Sequence, residues 1–520
     1  MTNFTGTLLP YQVEAVEAMV EKKRMLVAYD LGLGKTVLTI AALEELKARG
    51  EITQPGIVIC LSSLKYQWAE QIRKFTDGSS NPLVIDGTKK QREQQYVEAL
   101  DWGHTLVDYV IINYEQVVND WEFISKLPTG FVVTDEATAI KSFRSKRSKY
   151  VKKLESKVKF ALTGTPIENG KPEELYSIMQ FINSKVLGRF DLFDQTFIVR
   201  NRFGGVERYR NLPTLAKKLA EASVRKRQTD PDVAPFLPET IFAEPILVQF
   251  DRAGSVLYKH IAREILSDLD EAMDSYGASF DLFSHYTGET QDDVANALKG
   301  KIMSKLTALR MLCDHSELLK TSSATSKYVE SLDEAGLLDK SFKEHKLSAL
   351  KEYVDNFLSE YEGNKVVIFT SYVHMTKLIQ DSLDSYETST YTGQMNAKDK
   401  ETAKLYFQNN PNCRVLISSD AGGYGVDLPQ ANLLINYDLP WNAGLALQRN
   451  GRIRRASSTW GSIVIQDFLM EGSIEERQHA MLTQKMSVAN AILDGEGINV
   501  EGGVNLTVGT LRAFLGTFSV

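Results

Sequence analysis

Asp30-Leu31-Gly32-Leu33-Gly34-Lys35-Thr36 lies between an apolar run, Met25 to Tyr29, and an amphipathic segment, Val37 to Ala48. Strand, glycine turn and helix in that order are what a polyphosphate needs. Gly32 and Gly34 let backbone N–H groups turn inward on the anion, Lys35 brings a point charge to the β and γ groups, and the Thr36 hydroxyl can ligate Mg²⁺. The new helix presents its positive end to the same charge. The stretch reads as a nucleoside triphosphate site. In the longer GxxxxGK[ST] pattern the first glycine would fall at Tyr29, so the match is to the shorter DxGxGKT form.

Around this site the first region alternates short apolar runs with helical patterns: Met25 to Tyr29, Ile57 to Cys60, Leu83 to Ile85, Tyr109 to Ile112, Phe131 to Thr134 and Phe160 to Thr163. Runs apolar on both faces and separated by helices predict a parallel sheet covered on both sides, with ligand groups gathered beyond the carboxyl ends of its strands. Asp135-Glu136-Ala137-Thr138 stands at one such end, 100 residues after Lys35. Asp135 is placed to hold a Mg²⁺ shell and Glu136 to orient and deprotonate a water. The next strand ends in Leu162-Thr163-Gly164-Thr165-Pro166-Ile167-Glu168-Asn169, by itself a polar turn.

From Pro172 to Lys346 helical segments dominate, interrupted by Pro231, Pro235, Pro238 and Pro245, where a boundary is expected. Alternation resumes with Val366 to Phe369, Arg414 to Ile417, Leu433 to Ile435 and Ile463 to Ile465, which predicts a second parallel sheet without a second phosphate loop. Two stretches here carry chemistry. Ser418 to Asp427 follows a strand and holds three glycines, Gly425 among them, which allow close approach of backbone to a phosphate or ribose. Gln448-Arg449-Asn450-Gly451-Arg452-Ile453-Arg454-Arg455 sets Arg452 and Arg455 three apart, on one face if helical. Such arginines are either salt-bridged surface or the cations that a split ATPase brings to the γ-phosphate.

Composition bounds the alternatives. A chain of 520 residues, 43% hydrophobic and 24% charged, is ordinary for a globular protein of two to four domains. No run approaches the roughly 18 apolar residues of a membrane span, and the first residues lack a signal-peptide pattern, so a cytoplasmic location is expected, nucleoid-associated or in a host cytoplasm if viral. Cys60, Cys313 and Cys413 are far apart and read as reduced core residues; Cys313 with His315 makes too small a set for a metal. The net charge of −7 does not by itself suggest a polyanion partner. Two basic runs do: Lys141 to Lys159 against the single acid Glu155, and Arg200 to Arg227 against Glu207 and Glu221. The plain alternative is two solvated helix faces. Paired runs in an acidic chain favour a surface that tracks phosphates.

Taken together, these stretches resemble the motifs of the Swi/Snf-like branch of helicase superfamily two, in order from about Leu8 to Leu493. Leu9-Pro10-Tyr11-Gln12 resembles the adenine-recognition motif, Asp30 to Thr36 motif I, Ser62 to Trp68 motif Ia, Asp135 to Thr138 motif II and Leu162 to Asn169 motif III. Thr138 departs from the residues more common at its position. Phe369 to Tyr372 resembles motif IV, Ser418 to Leu428 motif V, Trp441-Asn442 the element after it, and Gln448 to Arg455 motif VI; Leu309 to His315 is also similar to a family stretch.

The resemblance implies an α/β fold of two RecA-like parallel-sheet lobes with helical insertions between them. The expected division is lobe 1 over 1–190, its helical protrusion and linker over 191–240, the protrusion of lobe 2 over 241–345, lobe 2 over 346–472, and a brace helix and tail over 473–520. It implies ATP bound through Gln12, Gly32, Gly34, Lys35 and Thr36, with Gly425 and Asp427 from lobe 2, and Mg²⁺ held by Thr36 and Asp135. Glu136 would activate water, and Arg452, Arg455 and Gln448 would act with Lys35 in catalysis. Ser63, Lys65, Thr370, Ser371 and Ser419 would touch a nucleic-acid backbone. The leading expectation is an ATP-dependent translocase on duplex DNA, with single-stranded DNA or RNA as other substrates. A strand-separating helicase and a nucleotide-gated DNA-binding scaffold are the alternatives, and the protein client is not legible. A motor this bare fits a bacterial or viral genome-maintenance factor.

Overall fold

The computed structural model describes residues 3–101, 107–168, 170–200, 206–278, 280, 282, 293–322, 325–420, 426–494 and 507–516. Their strands, in chain order, are β1 (Arg24–Tyr29), β2 (Gly56–Cys60), β3 (Pro82–Val84), β4 (Tyr109–Asn113), β5 (Val132–Asp135), β6 (Lys159–Leu162), β7 (Ile198–Arg200), β8 (Val206–Tyr209), β9 (Ser223–Lys226), β10 (Glu239–Phe242), β11 (Ile246–Val248), β12 (Val366–Thr370), β13 (Glu387–Tyr391), β14 (Cys413–Ser419), β15 (Leu433–Asn436) and β16 (Ser462–Met470). They form two large sheets and one small pair, β7 with β8. The chain divides into two compact units, one of Met1–Ile198, Arg210–Pro238 and Met486–Asn499, the other of Val199–Tyr209, Glu239–Lys485 and Val500–Val520.

In the first unit the strand order is β3-β4-β2-β5-β6-β1-β9, every pair parallel. Parallel strands need crossover helices, and these cover both faces, so the central strands are buried along their length. The order decides the chemistry. β5, β6 and β1 are adjacent, so the turns that follow them, at Asp135, Thr163 and Asp30, emerge side by side at one carboxyl edge.

The second unit's sheet runs β10-β16-β15-β12-β14-β13, again parallel, with β11 also on β16. Alternate residues of β12 enter different cores: Val366 and Ile368 pack in one, Val367 and Phe369 in the other. The first core also takes in the long helices Arg252–Tyr276 and Asp293–Asp314 through Leu257, Ile261, Leu269, Ile302 and Leu309. Two parallel sheets with helical insertions are the fold class expected.

The division along the chain differs from expectation in two places. The first sheet does not close before residue 190: β9, from the second basic run, pairs with β1 in the register Tyr29 to Lys226. The proline-rich connector does not break regular structure throughout, because β10 fits between Pro238 and Pro245 and pairs with β16. An edge strand tolerates flanking prolines because only one of its sides needs donors. Among the described residues no helix is long and apolar enough to cross a membrane.

Candidate nucleotide site

Within the first unit, Gly32 (φ 80°) and Gly34 (φ 82°) turn the chain out of β1, and Gly34 caps the helix Lys35–Ala48, whose first N–H groups are left for an anion. The Lys35 ammonium donates to the carbonyls of Tyr29 (2.9 Å) and Asp30 (3.3 Å), folded over its own loop. Gln12 braces that loop from the helix Pro10–Lys22: its Oε1 accepts from Leu9 N at 2.9 Å and its Nε2 donates to Leu33 O at 3.1 Å. Tyr29, in place of a glycine, is a core residue whose hydroxyl donates to Tyr11 O at 2.9 Å.

A second brace was not legible in the motifs. Gln228, just beyond β9, donates its backbone N–H to Asp30 Oδ2 (3.0 Å) and its side-chain amide to Leu31 O (2.7 Å), while Asp30 N donates to Lys226 O (3.0 Å). Arg225 stands 3.8 Å from the same carboxylate. Burial pushes the Asp30 carboxyl up, against the pull of Arg225, the Gln228 N–H and Lys35.

Asp135 ends β5 nearly buried. Its Oδ2 accepts from Trp68 Nε1 at 2.8 Å and its Oδ1 from Glu136 N at 2.9 Å. Burial raises its carboxyl above the ordinary range, and the Trp68 bond, the Lys35 ammonium and the Glu136 N–H act the other way. The adjacency of β5, β6 and β1 gathers motifs 100 residues apart in sequence at one sheet edge. Glu136 sits in the left-handed region (φ 50°, ψ 57°), which costs a non-glycine residue of the order of 1–3 kcal/mol. Tyr114 holds this turn by donating to Asp135 O at 2.7 Å. In the neighbouring turn, Thr165 N donates to Thr163 Oγ1 at 3.1 Å, and Gly164 packs so closely that a Cβ there would lie 3.1 Å from the Leu31 side chain. Asn169 lies outside the described residues.

Each basic run is paired with acids in part. Lys141 pairs with Glu168, Arg147 with Glu115, and buried Lys159 with Glu155. Lys226 pairs with Asp232 and Glu14, and Arg227 with Asp230. Arg144, Lys146, Lys149, Lys153, Lys157, Arg200, Arg208, Arg210, Lys217 and Lys218 stay exposed, so most of the described basic residues of both runs remain on the surface. Of the expected backbone contacts, Ser63 is exposed, but Lys65 is 1% exposed and its ammonium donates to Ile85 O and Asp86 Oδ1, both at 2.8 Å.

In the second unit Thr370 and Ser419 are buried, and Ser371 is half-buried. The Thr370 hydroxyl donates to Asp438 Oδ2 at 2.6 Å, and Ser419 Oγ accepts from Gly393 N at 3.3 Å. Arg455 pairs with Asp427, and Arg452 donates to Val426 O at 3.4 Å. Gln448 is buried on the helix Ala443–Asn450, and its Oε1 accepts no hydrogen bond among the described residues. Gly425 lies outside the described residues. Sequence reasoning passed over Arg449, which lies inside the quoted motif, and Asp438, which precedes Trp441. Their only signal was an arginine and an aspartate bracketing apolar residues.

Residues 11–318 match the SNF2-related domain, and residues 345–457 match the helicase conserved C-terminal domain. The chain is 25% identical over 504 residues to YwqA of Bacillus subtilis, covering 95% of this chain and 50% of that protein. It is 26% identical over 521 residues to the DNA repair and recombination protein RAD54-like of Gallus gallus, covering 94% and 68%. It thus spans half the length of the first relative and about two thirds of the second. Among solved structures it is similar to the Sulfolobus solfataricus SWI2/SNF2 ATPase core in complex with dsDNA, with 26% identity, TM-score 0.43, and coverage of 95% of this chain and 94% of that one. With a phosphate loop, an Asp-Glu pair and a threonine-rich turn delivered to one sheet edge, and with the first domain match alone spanning more than half the sequence, the chain belongs to the SNF2-related family.

Proposed function

We propose that the protein is an ATP-driven motor that moves along duplex DNA. The observation that carries the reading is the adjacency of β5, β6 and β1, which brings Lys35, Asp135, Glu136 and Thr163 to one edge of one sheet. Lys35 and the helix N-terminus hold the phosphates, and Gln12 sets the loop against which the base lies. Thr36 and Asp135 are hard oxygen donors of the kind that hold Mg²⁺ together with substrate phosphates. When bound, Mg²⁺ supplies charge neutralisation at the β- and γ-phosphates. Glu136, whose left-handed backbone follows the end of β5, receives the proton of the attacking water. Arg452 and Arg455 supply cations for the charge on the departing phosphoryl group.

DNA is the favoured track because both relatives named for a DNA task, in repair or in a solved complex, are similar to this chain along nearly its whole length. Ser63 and the exposed basic residues are the groups proposed to meet its backbone, giving weak sequence preference and steep salt dependence. Steady-state ATP hydrolysis with and without duplex DNA tests the reading. Turnover should rise when duplex is added, and absence of hydrolysis with duplex DNA, single-stranded DNA and RNA alike would leave a nucleotide-gated scaffold instead.

A further inference from the structure

Arg449 and Asp438 form a buried knot at which four stretches of the second unit meet: the turn after β12, Asp420 after β14, Asp438 after β15, and the helix that carries Arg449. Arg449 is 2% exposed and Asp438 1%. Arg449 Nε donates to Asp420 Oδ1 (2.6 Å), Nη1 to the Asp438 carbonyl, and Nη2 to Ser371 Oγ (3.2 Å) and Asp438 Oδ1 (3.3 Å). Asp438 accepts in addition from Thr370 Oγ1 (2.6 Å), Ser371 N (2.7 Å) and Ser371 Oγ (2.5 Å). Burial would lift the Asp438 carboxyl, but Arg449, Arg310 and the two hydroxyls outweigh it and hold the group below its ordinary value, so the pair stays ionised. Taking two such charges out of water costs several kcal/mol each unless every donor and acceptor is matched. Here the Nε and both Nη nitrogens of the guanidinium and both oxygens of the carboxylate are engaged.

Two consequences follow from the directions of these bonds. The hydroxyl hydrogens of Thr370 and Ser371, and the N–H of Ser371, all point to Asp438, and a phosphate oxygen can only accept. These groups are therefore not available to hold a DNA backbone while the knot is intact. Arg452 N donates to Arg449 O at 3.0 Å, so a shift of Arg449 is passed directly to the segment that carries Arg452 and Arg455.

We propose that Asp438 is a positioning residue that ties the turn after β12 to Arg449, so that this turn and the Arg452–Arg455 segment move as one piece, and that Thr370 and Ser371 serve this tie and not DNA. The inference rests on the proposed role of Arg452 and Arg455 in phosphoryl transfer. Its test measures kcat, KM for ATP, duplex affinity across a salt series, and melting temperature for the full chain and for Asp438→Asn, Thr370→Val, Ser371→Ala and Asp438→Glu. Asp438→Asn should lower kcat by about tenfold or more with KM within about twofold. Asp438→Glu, which keeps the charge, should recover part of the loss. Ser371→Ala should leave duplex affinity and its salt slope unchanged. Normal turnover in Asp438→Asn, or a loss confined to KM, would overturn the tie, and so would a tenfold loss of duplex affinity in Ser371→Ala. If Asp438→Asn does not fold, Thr370→Val gives the same kcat-against-KM comparison with a neutral, near-isosteric change. A wild-type protein without DNA-stimulated turnover would instead count against the motor reading, and the Ser371→Ala binding result would still decide between tie and DNA contact.

Discussion

Replacing Gly34 by alanine probes the phosphate loop where its geometry is tightest. Gly34 has φ 82°, a conformation that costs an L residue about 1–2 kcal/mol. Its added Cβ would lie 2.3 Å from Gln12 Nε2 and 3.1 Å from Val37 Cγ1. The Gln12 amide is the end of a flexible side chain and would move aside, giving up its bond to Leu33 O, worth about 1 kcal/mol. The total, about 2–3 kcal/mol, should be divided between a lower melting temperature and weaker nucleotide binding. Both are measured, by thermal unfolding and by titration with a fluorescent ATP analogue. Gln12→Ala removes the obstacle but not the backbone cost, so in that background Gly34→Ala should cost only about 1–2 kcal/mol, a coupling of about 1 kcal/mol. Equal costs in the two backgrounds would refute the contact between Gln12 and the loop. A silent Gly34→Ala in the wild type would refute the left-handed turn itself.

Glu136→Gln should keep nucleotide binding and abolish turnover in a single-turnover assay, because Asp135 and Thr36 remain while the proton acceptor is lost; substantial residual hydrolysis would remove Glu136 from that role. Arg455→Ala should leave nucleotide affinity largely intact and cost on the order of 10³-fold in rate, as loss of an arginine finger does. Lys152 gives a pH prediction. Burial lowers its amine to about 8, and its hydrogen-bond partners among the described residues are the neutral Ser177 Oγ (2.9 Å) and Gln180 Oε1 (3.1 Å). The unfolded chain, titrating near 10.5, holds that proton to higher pH than the folded one, so the cost is fully present below about 8 and fades as pH rises to about 10.5. Solvent access trims the cost to about 1–2 kcal/mol. Lys152→Met should therefore melt higher than wild type at pH 7, with the gap narrowing by about pH 9.5; a gap that does not change with pH would show that the ammonium carries no such cost.

The central strands were legible because they are buried on both faces, and continuous apolar runs such as Ile57 to Cys60 and Val366 to Phe369 report that directly. The strands that were not read are β7, β8, β9, β10, β11 and β13; β9, β10 and β13 stand at the edges of the large sheets, and β7 and β8 form a separate pair. Thr388 and Thr390 in β13 and Arg225 and Lys226 in β9 are half-buried, so their composition resembles that of loops. The site divides in the same way. Lys35, Asp135 and Glu136 are fixed by spacing to strand ends, and the structure gathers them. Trp68, Gln228 and Asp438 act by holding another residue in place, and nothing in their local sequence names that residue. The basic runs were legible as charge but not as pairing: Glu14, Glu115, Glu168, Asp230 and Asp232 meet some of their members only in the fold.

Displacement of a third strand from a DNA triplex, run beside a strand-separation assay on the same duplex with ATP, tests the central claim most directly. The account predicts that the triplex strand is released only with hydrolysable ATP, that Glu136→Gln abolishes release, and that the duplex strands stay paired. Separation of the duplex strands without triplex displacement would contradict it, as would triplex release that needs no ATP.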